Sequence, residues 1–358
     1  MSPIKSLSVV HRAHIAEVFR WSDDVALGWR RVLLAFVAMT VPIVTGQWAD
    51  KPALGYLVGL GAMLMAGESH GSASEPSSVW LTWLPVVLSV TVASLVAQLP
   101  FADVLMIALI VPASTLVNYS RPAAVAGIRF IVLLVLNMGL VGGHGAHGRG
   151  AALMFGVGAI WRLLLRVVMR RERPLAEKSV PSGREPTHRQ RRAHLGRALR
   201  SLQGWQYPIR LVGGLAAACL IRNLWPKHHF AWIVLSIVLL TPRALERLLV
   251  HITQRAIGTF LGVALTGALL AWGPGHLATA IVVCVFGTAA PLLRTGNYGL
   301  YCIFSTPIIL VAMSANAPVG AMLLEDRLTA TLMAAAIVVT ANLLMDAVLR
   351  RQVRAESP

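Results

Sequence analysis

Long apolar runs recur along the whole chain, and they leave few folds open to it. A soluble domain carries about 25% charged residues, whereas 13% of these 358 residues are charged. A helix satisfies its own backbone hydrogen bonds in hydrocarbon, and about 20 residues cross a bilayer. The chain is therefore expected to be an all-α polytopic membrane protein embedded in a lipid bilayer. The twelve runs lie at about residues 32–48, 53–67, 79–99, 101–117, 122–141, 150–169, 207–224, 229–242, 256–272, 275–292, 298–314 and 328–348.

The first six runs and the last six carry matching residues at a nearly constant spacing. Asn118-Tyr119 recurs as Asn297-Tyr298 at an offset of 179, and Arg170-Arg171 recurs as Arg350-Arg351 at an offset of 180. Several matches at one spacing indicate tandem duplication. Since six spans is an even number, we expect about twelve transmembrane helices in two parallel six-helix repeats. The expected units are a cytoplasmic amphipathic segment (1–31), the first repeat (32–169), a basic cytoplasmic linker (170–206), the second repeat (207–349) and a cytoplasmic tail (350–358).

Basic residues set the expected orientation. With the N-terminus inside, 26 of the 32 Lys and Arg residues fall on the cytoplasmic side. The positive-inside rule therefore predicts that both termini are cytoplasmic. The same bias accounts for the net charge of +17, and the basic residues lack the interleaved aromatics of a nucleic-acid surface, so we expect no nucleic-acid partner.

The stretch from His228 to Leu270 holds the clearest local pattern. An apolar run ends at Thr241-Pro242, a basic segment follows, and a second apolar run opens with Gly258-Thr259. Gly258, Gly262 and Thr266 repeat every four residues. Such spacing places small residues on one helix face, where a neighbouring helix can approach closely. This face, with Thr259, is predicted to be a helix-packing motif.

Arginines inside or beside the apolar runs are the candidates for chemistry, because an ionisable side chain in a membrane is costly. Arg129 lies about eight residues inside its run, and Arg255 and Arg294 stand beside runs of the second half. A guanidinium that faces a cavity can bind an anion. The alternatives are snorkelling to the interface, an internal ion pair and an ordinary loop position.

Other polar residues could line a transport path. The two Asn-Tyr pairs, Asn118-Tyr119 and Asn297-Tyr298, are either polar cavity groups or interface anchors. Ser305-Thr306-Pro307 predicts a kink, and Thr306 is a candidate binding residue. Short or interrupted spans at matching positions of two repeats indicate a transport site, and the second and eighth runs and the kinked eleventh run fit this pattern. Together with the fifth run, they are expected to line the path.

No residues group into a catalytic centre. Hydrolase, phosphate-loop and metal motifs are absent from the sequence, and the three cysteines lie singly in apolar runs. We therefore expect no enzyme activity, no metal site and no cofactor. The carboxylates nearest the span ends could each move a proton, and the sequence does not choose among them; they are Glu68, Asp103, Glu325, Asp326 and Asp346.

The second half resembles the fusaric-acid-resistance (FUSC-type) transporter family. The resemblance rests on Trp232, Thr241-Pro242, Arg255-x-x-Gly258-Thr259-x-x-Gly262, Asn297-Tyr298 with Phe304-x-Thr306, and Arg327 before Leu332-Met333. The first half is the weaker relative, because it has Ser78-Val79-Trp80-Leu81-Thr82 where Arg255-x-x-Gly258-Thr259 should recur. This difference leaves open whether both halves bind substrate.

The resemblance implies a multi-pass inner-membrane exporter of aromatic or other small organic acid anions, linked to the proton motive force. Plant aluminium-activated malate channels have a similar membrane architecture and are dimeric, which makes a homodimer plausible. Two alternatives stay open: an anion channel or uniporter of the same architecture, and a non-transporting accessory subunit.

Overall fold

The computed structural model describes residues 17–21, 28–67, 76–143, 147–170, 187–241, 248–294, 296–313 and 321–356, and their regular structure is helical throughout. Glu68, His144, Pro242 and linker residues 171–186 lie outside the described residues, as does most of the expected N-terminal segment. The helices are α1 Trp29–Trp48, α2 Pro52–Leu64, α3 Pro76–Val96, α4 Ala102–Thr115, α5 Arg121–Gly143, α6 Gly148–Arg170, α7 His188–Leu199, α8 Leu202–Leu224, α9 Ala231–Leu240, α10 Leu248–Trp272, α11 His276–Leu293, α12 Tyr298–Met313 and α13 Ala321–Glu356.

Each apolar run of the sequence coincides with one of these helices, and α7 lies in the linker. Among the described residues, six helices are long and apolar enough to cross a membrane: Trp29–Trp48, Arg121–Gly143, Gly148–Met169, Leu249–Trp272, His276–Leu293 and Ala321–Gln352. Five apolar helices are shorter, which are Pro52–Leu64, Trp83–Val96, Ala102–Asn118, Ala231–Leu240 and Tyr298–Ala312. The fold is therefore that of a multi-pass helical membrane protein, while twelve full crossings stay a prediction.

Local chemistry explains why α2 and α9 are short. Pro52 occupies the first turn of α2, where its missing N–H costs nothing. Helix α9 ends at Thr241, whose backbone is extended at ψ 98°. The following residue in the sequence is a proline, which disfavours helical geometry in the residue before it. At 1.5 Å per residue, the 10 residues of α9 span about half of a bilayer core.

Helix packing follows the same scheme in the two halves. Helix α3 packs on α5 as α10 packs on α12, and α2 packs on α6 as α9 packs on α13. The halves also exchange contacts. The first helix of each half packs on the fourth of the other (α1 on α11, α8 on α4), and the second packs on the fifth of the other (α2 on α12, α9 on α5). The second and fifth helices of both halves therefore meet near the middle of the bundle.

Small residues let α10 and α12 approach closely. A methyl group on Gly258 would lie 2.5 Å from the Gly299 carbonyl oxygen, and one on Gly262 would lie 2.7 Å from Cβ of Thr306. Thr266 is buried on the same helix, and its hydroxyl donates to the Gly262 carbonyl at 2.8 Å. The repeated small residues of the sequence thus lie at this helix contact.

Candidate anion site

A small cavity lies where the second and fifth helices of the two halves meet. Its volume is about 30 Å³, which is enough for a single small ion or molecule. Leu64 of α2, Val132 of α5 and Leu239 of α9 form part of an apolar wall. The complete lining is Leu64, Val132, Leu136, Leu235, Leu239, Arg255, Thr259, Tyr301, Cys302, Ser305, Thr306, Ile309 and Arg327.

Arg327 of α13 is the largest fully buried side chain at the cavity, with 2% of its surface exposed. Its guanidinium carbon lies 4.3 Å above the ring of Trp232 on α9. A cation over an aromatic face is attracted to the ring, so Trp232 covers one face of the guanidinium. The Nε and Nη1 atoms of Arg327 have no acceptor among the described residues.

Arg255 reaches the same cavity from α10 and is 3% exposed. Its Nη1 donates to the hydroxyl of Tyr298 at 2.9 Å, while its Nε has no acceptor in the described part of the chain. The Tyr298 ring stacks on His251 with ring centroids 3.9 Å apart. Arg255 is therefore held by a neutral partner and keeps an N–H group for another acceptor.

The two guanidiniums give this apolar cavity a strong positive charge. In the described part of the chain, the lining contains two arginines and no carboxylate. Burying a charge without a partner is expensive, and a guanidinium binds carboxylate oxygens through pairs of parallel N–H groups. The arrangement can therefore bind an anion, which would receive the N–H groups that lack acceptors.

Asp326, the neighbour of Arg327 in the sequence, hydrogen-bonds to the residues that precede α9. Its carboxylate accepts from the ring Nδ1 atoms of His228 and His229 at 2.8 and 3.0 Å, and from the His229 backbone N–H at 2.8 Å. These bonds fasten the residues before α9 to α13. Asp103 has a separate partner, since both of its carboxylate oxygens accept from Arg222.

The residues that the sequence nominated fall into different places. Arg255 and Thr306 line the cavity, and Tyr298 holds Arg255. Arg294 is exposed and lies over the ring of Tyr301, a lining residue, at 5.4 Å. Arg129 is half-buried on α5 outside the cavity wall, to which its own helix contributes Val132 and Leu136.

Three of the four Asn-Tyr residues bind segments outside the cavity. Asn297 donates to the backbone oxygens of Val18 at 3.0 Å and Arg20 at 3.3 Å, in the segment before α1. Asn118 donates to the Gly204 carbonyl at 2.9 Å, at the start of α8. Tyr119 hydrogen-bonds to His188 of α7 at 3.3 Å. Each asparagine thus hydrogen-bonds to the backbone at or before the first helix of the other half.

Sequence reasoning missed Arg327 as a site residue. From the sequence it is named only within the family resemblance, whereas the structure buries it at the cavity. The available signal was its position, directly before an apolar run and beside no other basic residue. The sequence could not show that the Trp232 ring covers Arg327, because that ring comes from another helix.

Comparison with known protein families finds a match in the second half of the chain. The model described as "Fusaric acid resistance protein-like" matches residues 216–341, a range that contains Trp232, Arg255 and Arg327. No curated protein and no solved structure matches the chain. The resemblance expected from the sequence is thus confirmed: residues 216–341 match the fusaric acid resistance protein-like family, and they include both arginines of the cavity lining.

Proposed function

We propose that the protein exports small organic acid anions across the inner membrane and binds the carboxylate between Arg255 and Arg327. One observation carries the proposal: two buried guanidiniums keep N–H groups without acceptors at one cavity inside an apolar helix bundle. Aromatic acids are the first candidates, because the family resemblance implies them and because the cavity wall is largely apolar.

The membrane potential alone could drive such export. With the cell interior negative, moving one monoanion outward gains about 2.3 kcal/mol per 100 mV, or roughly fifty-fold in concentration. A channel or uniporter would therefore suffice, and a link to the proton motive force is a further proposal. Carrier and channel are separated by the flux measurements below.

The proposed mechanism is a rocking of two parallel repeats around the cavity. The recurring packing of the two halves and their exchanged helix contacts support this duplication. Among the described residues, only the second half supplies arginines to the cavity, which favours one anion site per chain. We also propose a homodimer with cytoplasmic termini, which mass photometry and labelling from each membrane side would test.

Flux from proteoliposomes tests the function. Labelled aromatic acid is loaded inside, and efflux is compared for wild type, Arg255→Gln, Arg327→Gln and Arg149→Gln at fixed membrane potential. Removing one partner of a buried, hydrogen-bonded charge pair costs about 2–5 kcal/mol, so each buried-arginine variant should lose at least about tenfold in flux at subsaturating substrate. Arg149 is exposed and binds Gln98, so its variant removes the same charge and should behave as wild type.

The same assay separates the alternatives. Flux that requires a pH gradient supports a coupled exporter, and flux that follows voltage alone supports the channel or uniporter. Arg129→Ala is included, because a loss in that variant with normal Arg327→Gln flux would move the site to α5. Absence of flux from well-folded wild-type protein, over a panel of aromatic and aliphatic acids, would favour the accessory subunit.

A further inference from the structure

Among the described residues, no carboxylate lines the substrate-free cavity to balance its two guanidiniums. Arg255 and Arg327 both contact one cavity, and each is buried to at least nine-tenths. The hydrogen-bond partner of Arg255 is a neutral phenol, and the face of Arg327 is covered by a neutral indole. Two like charges close together in a low-dielectric interior repel strongly, so this arrangement requires an anion whenever the organic substrate is absent.

Size and surroundings indicate which anion fits. A cavity of about 30 Å³ has room for one small ion. The apolar part of the wall offers no hydrogen bonds to replace a hydration shell, so a weakly hydrated monovalent anion enters more easily than sulfate or phosphate. The wall hydroxyl of Thr306 donates to the Cys302 carbonyl at 2.7 Å, so the anion would receive its charged hydrogen bonds from the guanidinium N–H groups that lack acceptors.

We propose that a monovalent inorganic anion of halide or nitrate size occupies the space between Arg255 and Arg327 and must leave before an organic carboxylate binds. This inference rests on the proposed function, because it names the ligand that the exported anion displaces. The inorganic anion balances one of the two guanidinium charges in the resting protein, and chloride, as the abundant member of this class, competes with substrate.

Trp232 provides a direct probe, since its ring lies against the Arg327 guanidinium. Iodide quenches indole fluorescence and belongs to the proposed ligand class. Purified full-length protein is titrated with potassium iodide, with potassium sulfate holding the ionic strength constant. The chain has ten tryptophans, so the Trp232 component is obtained by subtracting the titration of Trp232→Phe.

The expected Trp232 component saturates at millimolar iodide, is displaced by chloride and nitrate, and is unaffected by sulfate. Arg327→Gln and Arg255→Gln should each abolish the saturation, and Arg149→Gln should preserve it. Both buried-arginine variants are checked for a monodisperse size-exclusion profile, and either one that passes suffices for the test. A Trp232 component that rises linearly with iodide, or that survives both substitutions, would overturn the proposal.

A flux measurement separates this inference from the proposed function. In proteoliposomes, chloride replacing sulfate at constant ionic strength should raise the KM for the organic acid at least threefold and leave kcat unchanged. Flux with an unchanged KM would refute the resident anion and leave the transport function standing. Saturable iodide binding without any organic-acid flux would refute the transport function and leave the inorganic-anion site standing.

Discussion

At the scale of single residues, Gly258 shows how closely two helices approach beside the site. A methyl group there would lie 2.5 Å from the Gly299 carbonyl oxygen and 2.6 Å from Cβ of Cys302. Both atoms belong to the backbone or are fixed to it, so neither can move without shifting α12. Gly267 on the same helix differs, because its methyl group would meet only the end of the Leu324 side chain, at 3.6 Å.

Gly258→Ala is therefore expected to destabilise the protein by about 1–3 kcal/mol, the usual cost of overpacking a dense core. Gly267→Ala should be neutral or stabilising by up to about 1 kcal/mol, because alanine is the better helix former. The thermal unfolding midpoints of the two purified variants in the same detergent provide the measurement. Equal midpoints for both would show that α10 and α12 are not in such close contact.

At the scale of elements, each asparagine of the repeated Asn-Tyr pair lies in one half and hydrogen-bonds to a segment of the other half. Asn297 holds the segment 17–21 through its amide N–H groups, and its Oδ1 accepts the Leu300 backbone N–H at 3.2 Å. Gln254 adds a bond to the Val18 carbonyl at 2.8 Å, and Val18 is 3% exposed. The segment before α1 is thus fastened beside α10 and α12, next to the Arg255–Tyr298 pair.

Asn297→Asp should release this segment, since an aspartate keeps the Oδ1 acceptor but has no N–H to donate. In a Val18→Cys background, we expect labelling by an impermeant maleimide in inside-out vesicles to be at least about tenfold faster, a change of about 1.4 kcal/mol. Asn118→Asp is the matched control, because Asn118 binds Gly204 and leaves the segment untouched. Similar rates in both variants would mean that Asn297 does not hold the segment closed.

At the scale of the whole molecule, the distribution of charge predicts the membrane orientation and the helix packing shows how the two halves assemble. The basic residues predict that the linker and both termini are cytoplasmic. The exchanged contacts place the halves around one central cavity, so that each half completes the packing of the other. Arg255 and Arg327 come from one half, and part of the apolar wall comes from the other through Leu64, Val132 and Leu136.

The predicted orientation can be tested with two exposed positions. Lys51 lies between α1 and α2 and Arg200 follows α7, and both side chains are exposed. A cysteine at position 51 should be labelled from outside intact cells, whereas a cysteine at position 200 should be labelled only in inside-out vesicles. The reverse pattern would invert the membrane orientation, and with it the direction proposed for export.

The sequence by itself determined the helices and part of the site. Apolarity and small-residue spacing are properties of continuous stretches, so the helix at every apolar run and the Gly258–Thr266 face could be read directly. The nomination of Arg255 and Thr306 also came from local pattern, and the structure brings both to the cavity. The family resemblance also pointed to the second half of the chain, and the family match at residues 216–341 confirms that resemblance.

Only the tertiary structure decided which arginines meet. The depth of Arg129 in its run could be counted, but the direction in which a helix faces depends on its neighbours. Arg327 entered the sequence analysis only through the family resemblance, and the structure shows that Trp232 of another helix covers it. The two guanidiniums share one cavity because α9, α10, α12 and α13 pack together, and such contacts join residues far apart in the chain that no local pattern relates.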